Sequence, residues 1–408
     1  MIMISETLKG SAISQSVFFS GGFRPFFMFA GLYGTFPLVM WIAAYFGEVS
    51  LPGPMIPFYW HGHEMVFGFG AAGLAGFLLT AVPSWTSTPP LKGLPLAGLA
   101  GLWVLGRVAM WGGWGLGVWP VALADIALLV ALTTVIGSRV IACGQRRNYP
   151  LAALVAILLV ANVLMHLETL GLTENSAATG LRLGVYVFCI LVALIGGRVI
   201  PAFTSNVLKM RGDMTEVISS PLLQKLVLIS LPTAIILDLA AGDTGPWRTV
   251  AGIIAVITGL ILVLRMRRWR LMKVLDEPIL WILHMGHAWL AIGFILKGLA
   301  DLTNLIAPGD AIHALSAGAM GTMIMAMMTR ASLGHTGRPL KASPAIVVAY
   351  VLIILGALLR TVGPSLDAVF GGLDVGTIIA TGGVMWVSGF VLFSVVYWPI
   401  LTGPRLEL

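Results

Sequence analysis

Two histidines and an acid stand at the mouth of a long apolar stretch. Phe58-Tyr-Trp-His-Gly-His-Glu-Met-Val-Phe67 puts His61, His63 and Glu64 directly before about twenty residues with no further charge. Lipid is a poor place to leave imidazole or carboxylate unpaired, so such groups point to function. Five more histidines join them. His166 lies in Asn162-Val-Leu-Met-His166-Leu-Glu168, and His313 in Ala311-Ile-His-Ala-Leu-Ser316. His284 and His287 are three apart, on one helical face, and His335 follows in a polar stretch beside Arg338. Neutral imidazole facing the interior of a helix bundle holds haem iron or copper. The bland alternative for each is a buried ring hydrogen-bonded to a neighbour. Cys143 and Cys189 show no CxxC spacing, which disfavours iron–sulfur clusters and structural zinc.

Other residues could serve these rings. Glu64 and Glu168 could orient a ligating imidazole through its second nitrogen, pass protons, or sit at headgroup level. Arg24 in Gly21-Gly-Phe-Arg-Pro-Phe-Phe27 and Arg330 in Met328-Thr-Arg-Ala-Ser-Leu-Gly-His335 could clamp a haem propionate by a forked bond, or anchor a helix end. Arg198, within an apolar run, needs a partner. Met320, Met323, Met325, Met327 and Met328 form a thioether string that either passes Cu(I) or fills gaps between helices.

The composition sets what must position them. The chain is 58% hydrophobic and 10% charged, with a mean hydropathy of +0.96. Soluble domains carry roughly 25% charged residues. Apolar runs long enough to cross ~30 Å of hydrocarbon recur throughout. They predict an all-α polytopic membrane protein with about twelve transmembrane helices, near 24–47, 61–83, 95–113, 117–141, 150–171, 180–206, 222–241, 248–265, 279–302, 311–331, 343–363 and 375–401. No linker divides the chain, so one transmembrane domain over 1–408 is expected, with 1–20 a retained cytoplasmic tail.

The net charge of +7 does not point to nucleic acid, because Lys and Arg gather in alternate loops. That bias puts both termini in the cytoplasm. The run Arg265, Arg267, Arg268, Arg270 and Lys273 suits anionic lipid headgroups. Only Arg107, Arg182, Arg248, Lys297 and Arg360 fall toward the other side. With this orientation His61, His63, His166 and His313 lie within roughly two turns of the outer surface, and His335 falls in a cytoplasmic loop. His61 and His63 are about 200° apart around a helix, so on a helical turn they serve different sites.

Three stretches resemble the NnrS family of membrane proteins: Phe23-Arg-Pro-Phe-Phe27, Trp60-His-Gly-His-Glu-Met65, and the run from His313 to Leu340 that contains Thr329-Arg-Ala-Ser-Leu-Gly-His335. With the number of spans, the resemblance covers essentially the whole chain. It implies a haem- and copper-containing bacterial inner-membrane protein of the nitric oxide and nitrosative stress response. His61, His63, His284, His313 and His335 match family histidines, His166 less closely, and His287 stands where an aromatic residue would be expected.

The expected function is binding, or oxidation or reduction, of nitric oxide at a His-ligated metal. Haem b would draw ligands from His63, His313, His166 and His284, with copper near His61. A quinol or a protein would donate electrons. A twelve-helix secondary transporter and a metal-loaded sensor or assembly factor without turnover are the alternatives.

Overall fold

Prolines open many of the helices. Pro57, Pro221, Pro246, Pro278, Pro308 and Pro344 each stand in the first turn, where a missing N–H costs nothing and the fixed φ suits the helix. The computed structural model describes residues 12–112, 115–242, 245–303, 305–372 and 374–407, so residues 1–11 of the expected tail lie outside the described residues. Among the described residues, twelve helices are long and apolar enough to cross a membrane. They are α1 (Phe23–Tyr45), α2 (Pro57–Thr86), α3 (Leu94–Gly112), α4 (Val118–Ala142), α5 (Arg146–Thr169) and α6 (Ser176–Met210). Then come α7 (Pro221–Ala240), α8 (Pro246–Lys273), α9 (Pro278–Leu302), α10 (Pro308–His335), α11 (Pro344–Asp367) and α12 (Val375–Thr402). The chain is all-helical, as expected. His335 is a correction: the sequence pattern put it in a loop, whereas it is the last residue of α10.

Three helices contain a wide π-helical segment: Glu64–Gly70 in α2, Val192–Gly196 in α6 and Ala314–Gly321 in α10. Such segments are rare and recur at functional sites, because a wide turn releases backbone carbonyls from the helical ladder. A buried carbonyl without a donor is costly. Each segment here has a side-chain donor. Trp103 Nε1 donates to the Gly68 carbonyl at 3.0 Å, an Arg265 terminal nitrogen to Ala193 at 3.0 Å, and Trp386 Nε1 to Ala317 at 3.4 Å.

The chain forms two compact units. One comprises Met1–Gly184, Met328–Leu340 and Phe390–Leu408; the other comprises Val185–Met327 and Lys341–Gly389. In the second unit α8 and α9 approach backbone to backbone. A Cβ at Gly259 would lie 2.7 Å from the Ala291 carbonyl, and one at Gly252 3.0 Å from that of Gly298. Small residues at this spacing are how membrane helices gain packing without a hydrophobic driving force.

Most cations that interrupt the loop-charge pattern are neutralised. Arg107 pairs with Glu64 and Asp125, Arg248 with Asp301, Lys297 with Asp238 and Asp301, and Arg360 with Asp310. Their place on the carboxylate-bearing helix ends is therefore a matter of pairing inside the protein.

Candidate metal centre

The first unit brings seven polar side chains from five helices into one dry cluster: Tyr33 of α1, His63 and Glu64 of α2, Arg107 of α3, Asp125 of α4, and Asn162 and His166 of α5. Most come from within about two turns of a helix end. Because successive helices run in opposite directions, residues late in α3 and α5 meet residues early in α2 and α4. Asn162 and His166 are four apart and share a face of α5.

Asp125 is the hub. Its Oδ1 pairs with Arg107, and its Oδ2 lies 3.0 Å from His63 Nε2, 2.8 Å from His166 Nε2 and 2.8 Å from Asn162 Nδ2. His63 is held on its other side, with Nδ1 2.8 Å from Glu64 Oε1. Arg107 donates to the same Glu64 oxygen at 2.6 Å. The other Glu64 oxygen accepts from the Tyr33 hydroxyl, which in turn accepts from Trp111 Nε1 at 2.6 Å.

Both ring nitrogens of His63 face acceptors, and a neutral ring donates to only one of them. When Nδ1 carries the proton, it is donated to Glu64 Oε1. In a neutral imidazole Nε2 is then a bare lone pair. That lone pair faces two more acceptors, Asp125 Oδ2 and Asn162 Oδ1, the latter at 2.9 Å. Turning the Asn162 amide over would only set its oxygen against Asp125 instead. Three acceptors converge on a point that needs a cation. The charges agree: one arginine stands against two carboxylates, leaving an excess negative charge in a water-free place.

A metal ion fits that point. His63, Asp125 and His166 each offer one ligand atom, and these atoms all lie within 4.8 Å of one another. Bonds of ~2.0–2.1 Å in tetrahedral array would space ligands by roughly 3.4 Å, so modest expansion of the observed 2.8–3.0 Å separations seats an ion. Glu64 holds His63 in the right tautomer, as a carboxylate behind a ligating imidazole usually does.

A family model described as NnrS protein matches residues 17–405. The chain belongs to the NnrS family. No curated protein matches it. In this NnrS-family chain the remaining histidines lie outside the cluster. His61, two residues from His63, stacks on Trp41 with ring centroids 4.7 Å apart. His335 packs against Phe23 at 5.6 Å. His313 opens α10 in the other unit, with Nδ1 2.7 Å from the carbonyl of Gly309 in its own helix. His284 and His287 are fully buried in that second unit, near Trp269. Glu168 is also elsewhere, accepting from the Ala177 backbone N–H at 2.8 Å at the start of α6. Arg24 is buried and donates to the Leu401 and Gly403 carbonyls at 2.8 and 2.7 Å, closing the end of α12. Arg330 lies half-buried in the last turns of α10.

Asp125, Asn162, Arg107 and Tyr33 belong to this cluster, and the histidines alone do not point to them. Asp125 had a signal. It is the only acid in α4, a 25-residue helix, and an intramembrane carboxylate is a site marker in its own right. Gly68 also belongs to the site. A Cβ there would overlap the Tyr33 ring and lie 3.1 Å from an Arg107 guanidinium nitrogen. Gly68→Ala is therefore expected to displace both and to cost about 1–3 kcal/mol. Thermal unfolding in detergent checks this, with Gly98→Ala, at a glycine open to space, as the control.

Proposed function

We propose that this protein binds copper at His63, Asp125 and His166, with Asn162 as a further oxygen donor, and that the site meets nitric oxide in the bacterial response to nitrosative stress. The observation that carries the metal is the convergence of His63 Nε2, Asp125 Oδ2 and Asn162 Oδ1 beside His166 Nε2. Membership of the family supports the copper and nitric oxide reading. Two imidazoles with carboxylate and amide oxygen suit a borderline divalent ion such as Cu(II) or Fe(II).

Haem b, which the resemblance implies, does not fit these residues. An axial pair of imidazoles would have to admit a porphyrin between their nitrogens. Here the Asp125 carboxylate oxygen occupies that space, within 3.0 Å of one ring nitrogen and 2.8 Å of the other.

When bound, the metal supplies a redox-active centre with affinity for a small diatomic ligand. The protein does the rest. Arg107 pins Asp125 by one oxygen and so aims the other inward. Glu64 keeps the proton on His63 Nδ1, and Tyr33 holds Glu64. Phe67 packs 5.1 Å from the His63 ring and the cluster is buried, which keeps bulk water away. The loop-charge bias supports an inner-membrane protein with both termini in the cytoplasm.

The competing occupant is a proton, which would make His63 an imidazolium between Glu64 and Asp125. Elemental analysis of the purified protein separates the two. About one copper per chain is expected in the parent, lost in His63→Ala and His166→Ala, with any haem retained. Copper content unchanged in both variants would refute the assignment.

A further inference from the structure

The second unit buries a positive charge that has no carboxylate. Arg265 of α8 is 2% exposed. Its terminal nitrogens donate to the Ala193 carbonyl and to Gln224, both uncharged, and the guanidinium sits 5.6 Å over the Trp269 ring. Among the described residues no acid pairs with it, and the charged group it feels is Arg198, another cation. An intramembrane cation with neutral partners alone is costly.

Around it the polar groups are unserved. Arg265 Nε, Trp269 Nε1 and both ring nitrogens of His287 are buried and lack hydrogen-bond partners. The Val192 carbonyl comes near the His287 ring without hydrogen-bond geometry. Trp269 and His287 are in contact, with ring centroids 4.8 Å apart. A Cβ on Gly196 would lie 3.1 Å from His287 Nδ1 and 3.4 Å from Ile200 Cδ1, so glycine keeps a further side-chain atom off that edge of the ring. His284 shows the same want. Thr204 gives its proton to the Ile200 carbonyl at 2.9 Å and so accepts from His284 Nε2 at 3.1 Å, which leaves His284 Nδ1 bare. Buried polar groups are nearly always hydrogen-bonded, so a cluster of donors without a partner in the protein suits a bound acceptor.

The signs of these groups say which. A guanidinium N–H, an indole N–H and an imidazole N–H are donors, and the local charge is positive. We propose that Arg265, Trp269 and His287 bind a small monovalent inorganic anion, whose hydrating water serves His284 Nδ1. The charge balances, and three orphaned donors gain an acceptor. Lys273 is paired with Asp213, and Arg211 with Asp276 and Glu277, but Arg267, Arg268 and Arg270 follow Arg265 in the chain and leave the neighbouring surface positive, which draws anions toward the site. This site is independent of the metal centre in the first unit.

The test uses full-length protein in nanodiscs of zwitterionic lipid, titrated calorimetrically with bromide in place of gluconate at constant ionic strength. One saturable site is expected, lost in Arg265→Gln and weakened roughly tenfold in Trp269→Phe, which removes one donor and no charge. Should Arg265→Gln fail to fold, Trp269→Phe decides alone. Unsaturable binding, or affinity unchanged in the variants that fold, overturns the proposal. So does loss of binding in Arg268→Gln, which would put the anion on the surface rim.

Discussion

Replacing Arg107 by methionine is expected to destabilise the first unit by about 3–5 kcal/mol, the scale for removing one partner from a buried ion pair. The guanidinium faces Glu64 and Asp125, both with side chains 0% exposed. Methionine replaces the apolar stem and removes the guanidinium, so the loss reports chiefly the missing charge and its hydrogen bonds. Two carboxylates would then stand in a dry interior with no cation. Copper should restore part of the lost stability in this variant, because any ligand that binds only the folded state stabilises it by mass action. Denaturant unfolding of the detergent-solubilised protein, with and without Cu(II), reads both effects. A loss under about 1 kcal/mol would mean that the pairs are poorly formed.

Asp125→Asn should have the largest effect on the metal. The amide keeps the shape and its oxygen can still meet one imidazole, but the anionic ligand is gone. Disturbing a group that merely orients a ligand costs 10–100-fold in metal affinity, so removing the carboxylate itself should cost more than about 100-fold. Arg107 keeps Glu64 as a partner at 2.6 Å, so the fold should survive better than in the Arg107 variant. Copper affinity measured against a competing chelator checks this. Retention of parent affinity would show that Asp125 is a hydrogen-bonding hub and no ligand.

The fold was legible because hydropathy is a property of single segments. Twelve apolar runs of spanning length have no other soluble or barrel-like reading, and helix-opening prolines such as Pro57 and Pro278 mark several starts. Only contextual features were hidden. The π-helical segments leave no trace in composition, since residues such as Glu64–Gly70 are released from the α-ladder by donors brought from other helices, here Trp103. His335 was misplaced because its neighbours are polar, while α10 continues through them.

The site was legible in part. The 200° between His61 and His63 already separated them, and in the folded chain one stacks on Trp41 while the other enters the cluster. Counting imidazoles by depth put His63 and His166 at one level, and their rings are 5.3 Å apart. The same count gave no reason to prefer them over His313, because depth says nothing about direction around a helix axis. Arg107 was harder for another reason. Alone it reads as a charge near a membrane surface, and only its pairing with Asp125 across α3 and α4 makes it interior. Gly68 reads as a packing glycine, and it is one. What it admits is the Tyr33 ring and the Arg107 guanidinium of the site.

The central claim is that a metal ion lies between His63, Asp125 and His166. Anomalous diffraction from crystals of the purified protein, with data collected on both sides of the copper absorption edge, tests it most directly. A single strong difference peak is expected within bonding distance, ~2.0–2.2 Å, of His63 Nε2, His166 Nε2 and Asp125 Oδ2. A copper-loaded crystal with no peak there, or with its peak at His61, His313 or His335 instead, would contradict it.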